Sequence, residues 1–135
     1  MPNTQSRRLI VAVQTLLCVL IATTAFAQDK PNWRDGRKVF RKCGACHSFK
    51  PGEHRFGPSL NRVVGRKAGT APDFRYSKTM LEKSADGLVW TDDALDAFLT
   101  APRKFVPTTK MTFPGLKDVK DRRDVIAYVK RRAKR

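Results

Sequence analysis

The feature that most constrains this chain is a five-residue string, Cys43-Gly44-Ala45-Cys46-His47. One turn of backbone can present two thiols spaced in this way together with the imidazole that follows them. Such a string is used in a zinc site, in a dithiol redox pair, or in the covalent attachment of c-type haem. We therefore expect the fold to be organised around a metal or a redox group.

The content of cysteine and histidine narrows these alternatives. Cys18 lies in an N-terminal segment that we expect to be removed, so only the two motif cysteines remain. A zinc site needs about four ligands and would have to use both His47 and His54. A dithiol pair expects a βαβ context, which is absent, and an exported protein could also form a simple disulfide. Because a histidine follows the pair, haem attachment is favoured.

The N-terminal segment has the pattern of a secretory signal peptide. Arg7 and Arg8 precede an apolar run over residues 9–22, and small residues at 25 and 27 suit cleavage. The run is short of the ~20 apolar residues of a membrane span, which disfavours an uncleaved anchor. We expect a signal peptide at 1–27, one domain at 28–135, and export to a bacterial periplasm.

Three helical patterns lie in the rest of the chain. The first runs from Asn32 to Cys43, the second from Thr91 until Pro102 stops it, and the third from about Val119 to Arg132. Turn-rich segments separate them, and no segment alternates with a period of two. The pattern predicts an all-α single domain with three main helices, short helices, and long loops that wrap a buried ligand.

A haem iron needs a second axial ligand or keeps an open position. His54 lies only seven residues past His47, so we expect it to bond backbone within a loop. Met80 lies in a stretch that could be helical and is expected in the core. Met111 lies in an irregular segment flanked by Pro107 and Pro114, which can hold a thioether against a metal. Met111 is therefore the better sixth ligand.

On these residues, the chain from about Trp33 to its C-terminus resembles class I cytochromes c, the family of mitochondrial cytochrome c and its bacterial periplasmic relatives. The resemblance implies covalent haem c on Cys43 and Cys46, with His47 and Met111 as iron ligands. It also implies other haem contacts: Pro58, whose carbonyl accepts from the His47 imidazole; Arg66 near a buried propionate; Tyr76 and Trp90 as donors to it; Thr109 in the methionine loop; and Phe113 screening the exposed haem edge.

The resemblance also predicts one packing contact, and two positions differ from the mitochondrial pattern. Gly36 and Phe40 match the place where the first helix crosses the last, near Tyr128. Phe98 stands where the mitochondrial pattern has a tyrosine hydroxyl near the methionine sulfur. Thr108 replaces a common glycine in the ligand loop, so we expect a less relaxed backbone there.

The charge of the chain concerns its partners more than its fold. The formal charge is +16, and removal of Arg7 and Arg8 leaves 26 basic and 12 acidic side chains. Nucleic acid, an acidic protein surface and an anionic membrane are each compatible with such charge. Six basic residues lie close in sequence to the haem-contact segments, which favours a cationic docking ring: Lys42, Arg55, Arg103, Lys104, Lys110 and Lys117.

The function that follows is one-electron transfer by a monomer that is not an enzyme. The expected partners are acidic faces of redox complexes: a quinol:cytochrome c oxidoreductase, a terminal oxidase or photosynthetic reaction centre, or a periplasmic dehydrogenase. We expect no nucleic-acid binding and at most peripheral membrane contact. The alternative is a haem peroxidase or gas sensor with an open sixth site, although His54 is the only other histidine that could act as a distal base.

Overall fold

Helices joined by long turns make up residues 30–133, the part of the chain that the structure, a computed structural model, describes. Their order is α1 (Trp33–Phe40), α2 (Lys78–Ala85), α3 (Asp92–Thr100), α4 (Pro102–Phe105) and α5 (Val119–Ala133). Within this range the only β pairing is an isolated antiparallel bridge between Lys67 and Val89. The all-α prediction is confirmed. The predicted signal peptide lies outside the described residues.

Side-chain caps fix where the helices begin. The carboxamide of Asn32 accepts from the backbone N–H of Arg34 at the start of α1 (3.0 Å), and the Thr91 hydroxyl accepts from Ala94 N at the start of α3 (3.1 Å). The ends differ from the prediction. Helix α1 ends at Phe40, before Cys43, and Pro102 does more than end α3, because it occupies the first turn of α4, where its missing N–H costs nothing.

Among the described residues, α1 and α5 make the most extensive contact between two helices. A Cβ on Gly36 would lie 2.9 Å from the backbone nitrogen of Val125 and closer still to the carbonyl of Asp124. Phe40 packs on Tyr128 with ring centroids 5.2 Å apart, as expected. The buried carboxylate of Asp124 accepts from Asn32 N at 2.7 Å and so joins the start of α1 to α5. Glycine is required here because backbone touches backbone.

Two apolar clusters form the core. The larger one includes Met80 and Trp90, with the Trp90 and Phe98 rings 5.1 Å apart, and the prediction that Met80 packs in the core is confirmed. The smaller one contains Val39, Leu116 and Val125. Among residues 30–133, no helix is long and apolar enough to cross a bilayer.

Candidate haem-binding site

The attachment motif follows α1 as a series of overlapping turns. The Cys43 N–H donates to the Phe40 carbonyl at 2.8 Å, and the N–H groups of Cys46 and His47 both donate to the Cys43 carbonyl at 3.0 Å. No disulfide joins Cys43 to Cys46. Burial, the largest cause, and the neighbouring Cys46 raise the pKa of Cys43 to about 11. A thiol that stays protonated at neutral pH is not the activated thiolate of a dithiol redox pair.

The imidazole of His47 is fixed on two sides. Its Nδ1 lies 2.8 Å from the Pro58 carbonyl oxygen, and because a carbonyl can only accept, Nδ1 carries the proton and Nε2 is left with a free lone pair. A Cβ on Gly57 would lie 2.8 Å from Nε2 and 2.9 Å from Nδ1, so the ring packs directly on the glycine backbone. Burial lowers the pKa of His47, against the opposing effect of the Pro58 bond. The ring is therefore held in the neutral form that a metal ligand needs.

His54 is engaged through both ring nitrogens. Its Nε2 lies 2.6 Å from the Pro72 carbonyl, and its Nδ1 accepts from the Ser59 N–H at 3.0 Å. The expectation that His54 bonds backbone within a loop is confirmed. A tetrahedral zinc site on the two cysteines would need this imidazole, so the zinc alternative would have to break at least one of these bonds. Nor is there elsewhere in residues 30–133 a group of three or more His, Cys, Asp and Glu able to hold a metal ion.

A second set of predicted residues gathers around the Arg66 guanidinium. Two of its nitrogens donate to carbonyls, one to Asn61 (2.8 Å) and the other to Ser59 (3.1 Å). Its Nε is buried and, in the described part of the chain, has no hydrogen-bond partner. Such a group costs about 1–3 kcal/mol. An anionic oxygen beside Nε, such as a haem propionate, would satisfy it, so these residues fit the group that the motif implies.

Trp90 and Tyr76 lie in segments connected to this region. Trp90 exchanges backbone hydrogen bonds with the Gly65-Arg66 pair, accepting from Gly65 N at 2.9 Å and donating to the Arg66 carbonyl at 3.0 Å. The Tyr76 hydroxyl oxygen accepts from Ala71 N at 3.2 Å, which leaves the phenol O–H oriented to donate elsewhere. Burial raises the pKa of Tyr76, which keeps that proton in place.

The methionine segment is braced by short local bonds. Thr109 N donates to the Val106 carbonyl (3.1 Å), and the Thr109 hydroxyl accepts from Met111 N (3.3 Å). The hydroxyls of Thr108 and Thr79 are 2.6 Å apart. Thr108 has φ +61°, a left-handed conformation that is strained for a β-branched residue. The expectation that the backbone at Thr108 is less relaxed is confirmed.

Met111, the predicted iron ligand, and Phe113, predicted to screen the haem edge, pack against different clusters. Met111 is half-buried against the larger apolar cluster, and Phe113 packs against the smaller one. Phe49 lies two residues past the motif and was missed by the sequence reasoning; its ring lies 4.8 Å from that of Phe40 and 5.9 Å from that of Tyr128. The only sign of Phe49 in the sequence is that it is an aromatic residue two positions after His47.

Comparison with known proteins bears directly on this site. The family model for cytochrome c matches residues 33–133. The chain belongs to the cytochrome c family. It is 52% identical to cytochrome c2 of Afifella marina over 96 residues, which is 70% of this chain and 77% of that protein. It is 48% identical to cytochrome c2 of Rhodoblastus acidophilus over 95 residues, 70% of this chain and 86% of that protein.

A solved structure agrees. Cytochrome cH from Methylobacterium extorquens superposes with a TM-score of 0.68 at 40% identity, covering 74% of this chain and 98% of that one. This protein is thus a class I c-type cytochrome that carries haem c on Cys43 and Cys46, and its role is electron transfer rather than enzymatic catalysis.

Proposed function

We propose that this cytochrome is an exported, soluble carrier in which His47 and Met111 are the axial ligands of the haem iron. It shuttles single electrons between periplasmic or membrane redox complexes. The observation that carries the proposal is the His47 imidazole, whose Nδ1–H donates to the Pro58 carbonyl and whose ring packs on Gly57, with Nε2 as the remaining electron-pair donor.

The haem, when bound, supplies a one-electron iron couple. His47 is the more basic ligand because its Nδ1–H donates a hydrogen bond to the Pro58 carbonyl. The Met111 thioether is a weaker, softer donor, which favours ferrous iron and raises the reduction potential. The bonds of Thr108 and Thr109 hold the Met111 segment in one conformation, so that the ligand set need not rearrange when the electron arrives.

The remaining predicted residues position the group. Arg66 Nε, the Tyr76 hydroxyl and the Trp90 indole donate to a propionate, and Phe113 shields the haem edge from water. The burial of Arg66 Nε without a partner among the described residues supports this assignment. A buried, compensated propionate keeps the charge of the site fixed.

The partners we propose are redox complexes with acidic faces. All six predicted docking cations are exposed in the structure, Lys42 and Arg55 among them. Attraction between such charges weakens with salt because the Debye length falls to about 10 Å at 0.1 M. We expect the rate of electron transfer to drop steeply with ionic strength, and a rate independent of salt would remove the argument for steering. Export follows from the predicted signal peptide at 1–27.

The ligand assignment is tested by spectra of the matured holoprotein. We expect a far-red charge-transfer band in the ferric form, which reports a sulfur–iron bond, and its loss in Met111→Ala. The matched control is Met80→Leu, which changes a buried methionine of the core at nearly constant volume and must keep the band. A wild-type protein that lacks the band and binds carbon monoxide when reduced would instead support a peroxidase or a gas sensor.

A further inference from the structure

Phe56 is the most solvent-exposed large apolar side chain in the part of the chain that the structure describes. Its exposed fraction is 89%, against 50% for Leu81 and for Val119. Single exposed apolar residues are ordinary on protein surfaces. The position of this one, between Arg55 and the Gly57-Pro58 pair that holds His47, sets it apart.

The turn that presents Phe56 is held to the attachment motif on both sides. Gly57 N donates to the Cys46 carbonyl at 2.8 Å, and Arg55 N donates to the Gly57 carbonyl at 3.0 Å. The Arg55 guanidinium donates to the Gly44 carbonyl and also pairs with Glu53 at 3.4 Å. The aromatic ring is therefore presented to solvent from a backbone that is hydrogen-bonded to Cys46 of the attachment motif.

A rigid aromatic side chain of this kind loses little conformational freedom when it is buried by a partner. Aromatic residues in central, desolvated pockets carry a large share of the binding energy of many interfaces, while charges at the rim set the association rate. The cations near Phe56 are suited to the rim of such an interface. Arg55 and Lys50 share the single carboxylate of Glu53, so the local charge stays positive.

We propose that Phe56 is the apolar anchor of the docking surface, inserting into an apolar pocket on the acidic face of the redox partner. The inference rests on the proposed carrier function. It favours a protein over a membrane surface because burial of Phe56 brings the partner against Cys46, one of the two residues that carry the haem. An anchor in lipid would turn that edge of the protein toward the bilayer.

The test uses haem-loaded protein and a purified quinol:cytochrome c oxidoreductase as electron donor. For Phe56→Ala we expect KM to rise at least about tenfold, with kcat and the dependence on ionic strength unchanged. Phe56→Trp should keep a KM close to that of the wild type. The matched control is Leu81→Ala, which truncates an exposed apolar residue on α2 and should leave KM unchanged. Reduction by ascorbate should be equal in all four proteins.

Each of the following outcomes would contradict the proposal. An unchanged KM in Phe56→Ala overturns the anchor alone, provided that the wild-type reaction is fast and salt-dependent. If the wild-type protein accepts no electrons from the oxidoreductase although its ferric form shows the sulfur–iron band, the docking proposal is overturned for this partner and the carrier function is not. If the band is also missing, both are overturned. Sedimentation with vesicles of equal parts phosphatidylglycerol and phosphatidylcholine completes the test, because weaker binding of Phe56→Ala to vesicles at an unchanged KM would assign the ring to a membrane.

Discussion

Substitution of Gly57 by alanine tests whether the His47 ring is held as the structure indicates. The added methyl carbon would lie 2.8 Å from Nε2 and 2.9 Å from Nδ1, so either the ring or the loop must move by several tenths of an ångström. Overpacking of this kind costs about 1–3 kcal/mol. Loss of the bond to the Pro58 carbonyl adds about 1 kcal/mol.

We therefore expect Gly57→Ala to lower the free energy of unfolding by about 3 kcal/mol, which is a fall in Tm of about 15 °C for a domain of this size. The assay is thermal unfolding of the ferric holoprotein followed by circular dichroism. Nuclear magnetic resonance of the His47 ring protons supplies a second readout, since displacement of the ring must change their shifts.

The matched control is Gly44→Ala, in the attachment motif itself. A Cβ at Gly44 would lie 3.8 Å from the Phe40 carbonyl oxygen and 3.9 Å from the Phe40 ring, which is ordinary contact. We expect its Tm to stay within a few degrees of the wild type. If Gly57→Ala also unfolds near the wild-type temperature with unshifted ring protons, the imidazole is not in contact with the glycine, and our account of how His47 is oriented is refuted.

Three further substitutions test individual contacts. Gly36→Ala forces the backbones of α1 and α5 apart and should cost about 3 kcal/mol or more in guanidinium unfolding; a neutral result would mean that the helices do not cross there. Thr79→Ala removes the hydroxyl bond to Thr108 and should lower the free energy of unfolding by about 1 kcal/mol in thermal unfolding. In a Thr108→Gly background the same substitution should cost nothing further. Additive losses would contradict the pairing. His54→Ala loses two bonds, should cost about 2 kcal/mol, and should speed hydrogen exchange at the Ser59 amide; unchanged exchange would argue against the bridge.

Local sequence signals predicted much of the fold. Asn32 and Thr91 have side chains that accept from helix N–H groups, and both are found as caps. The short helix α4 was not predicted, because a proline such as Pro102 is found both where helices end and in the first turn of a helix. The attachment motif was also predictable, since its chemistry depends on residues adjacent in sequence.

Long-range polar contacts could not be predicted in this way. Arg122 is buried, with bonds to the Asp96 carboxylate at 2.8 Å and to the Leu116 carbonyl at 2.9 Å. Nothing in a basic helix distinguishes this arginine from its exposed neighbours. The burial of Asp124 was equally unpredictable from the sequence, because its partner Asn32 is 92 positions away. Such partners depend on how α3 and α5 are placed, which the periodicity of either helix leaves open.

The basic composition therefore has two separate physical causes. Several cations order the loops by donating to backbone carbonyls: Arg66 to Ser59 and Asn61, Lys110 to Arg75, and Arg122 to Leu116 and Lys117. A loop without helical hydrogen bonds must satisfy its carbonyls in another way, and long cationic side chains can reach them. Arg103 and Lys104 are exposed cations that we propose steer partners, and Lys110 belongs to both groups. A hydrogen bond to a neutral carbonyl leaves the cation charged, so a side chain such as Lys110 can order a loop and still contribute to the field that a partner meets.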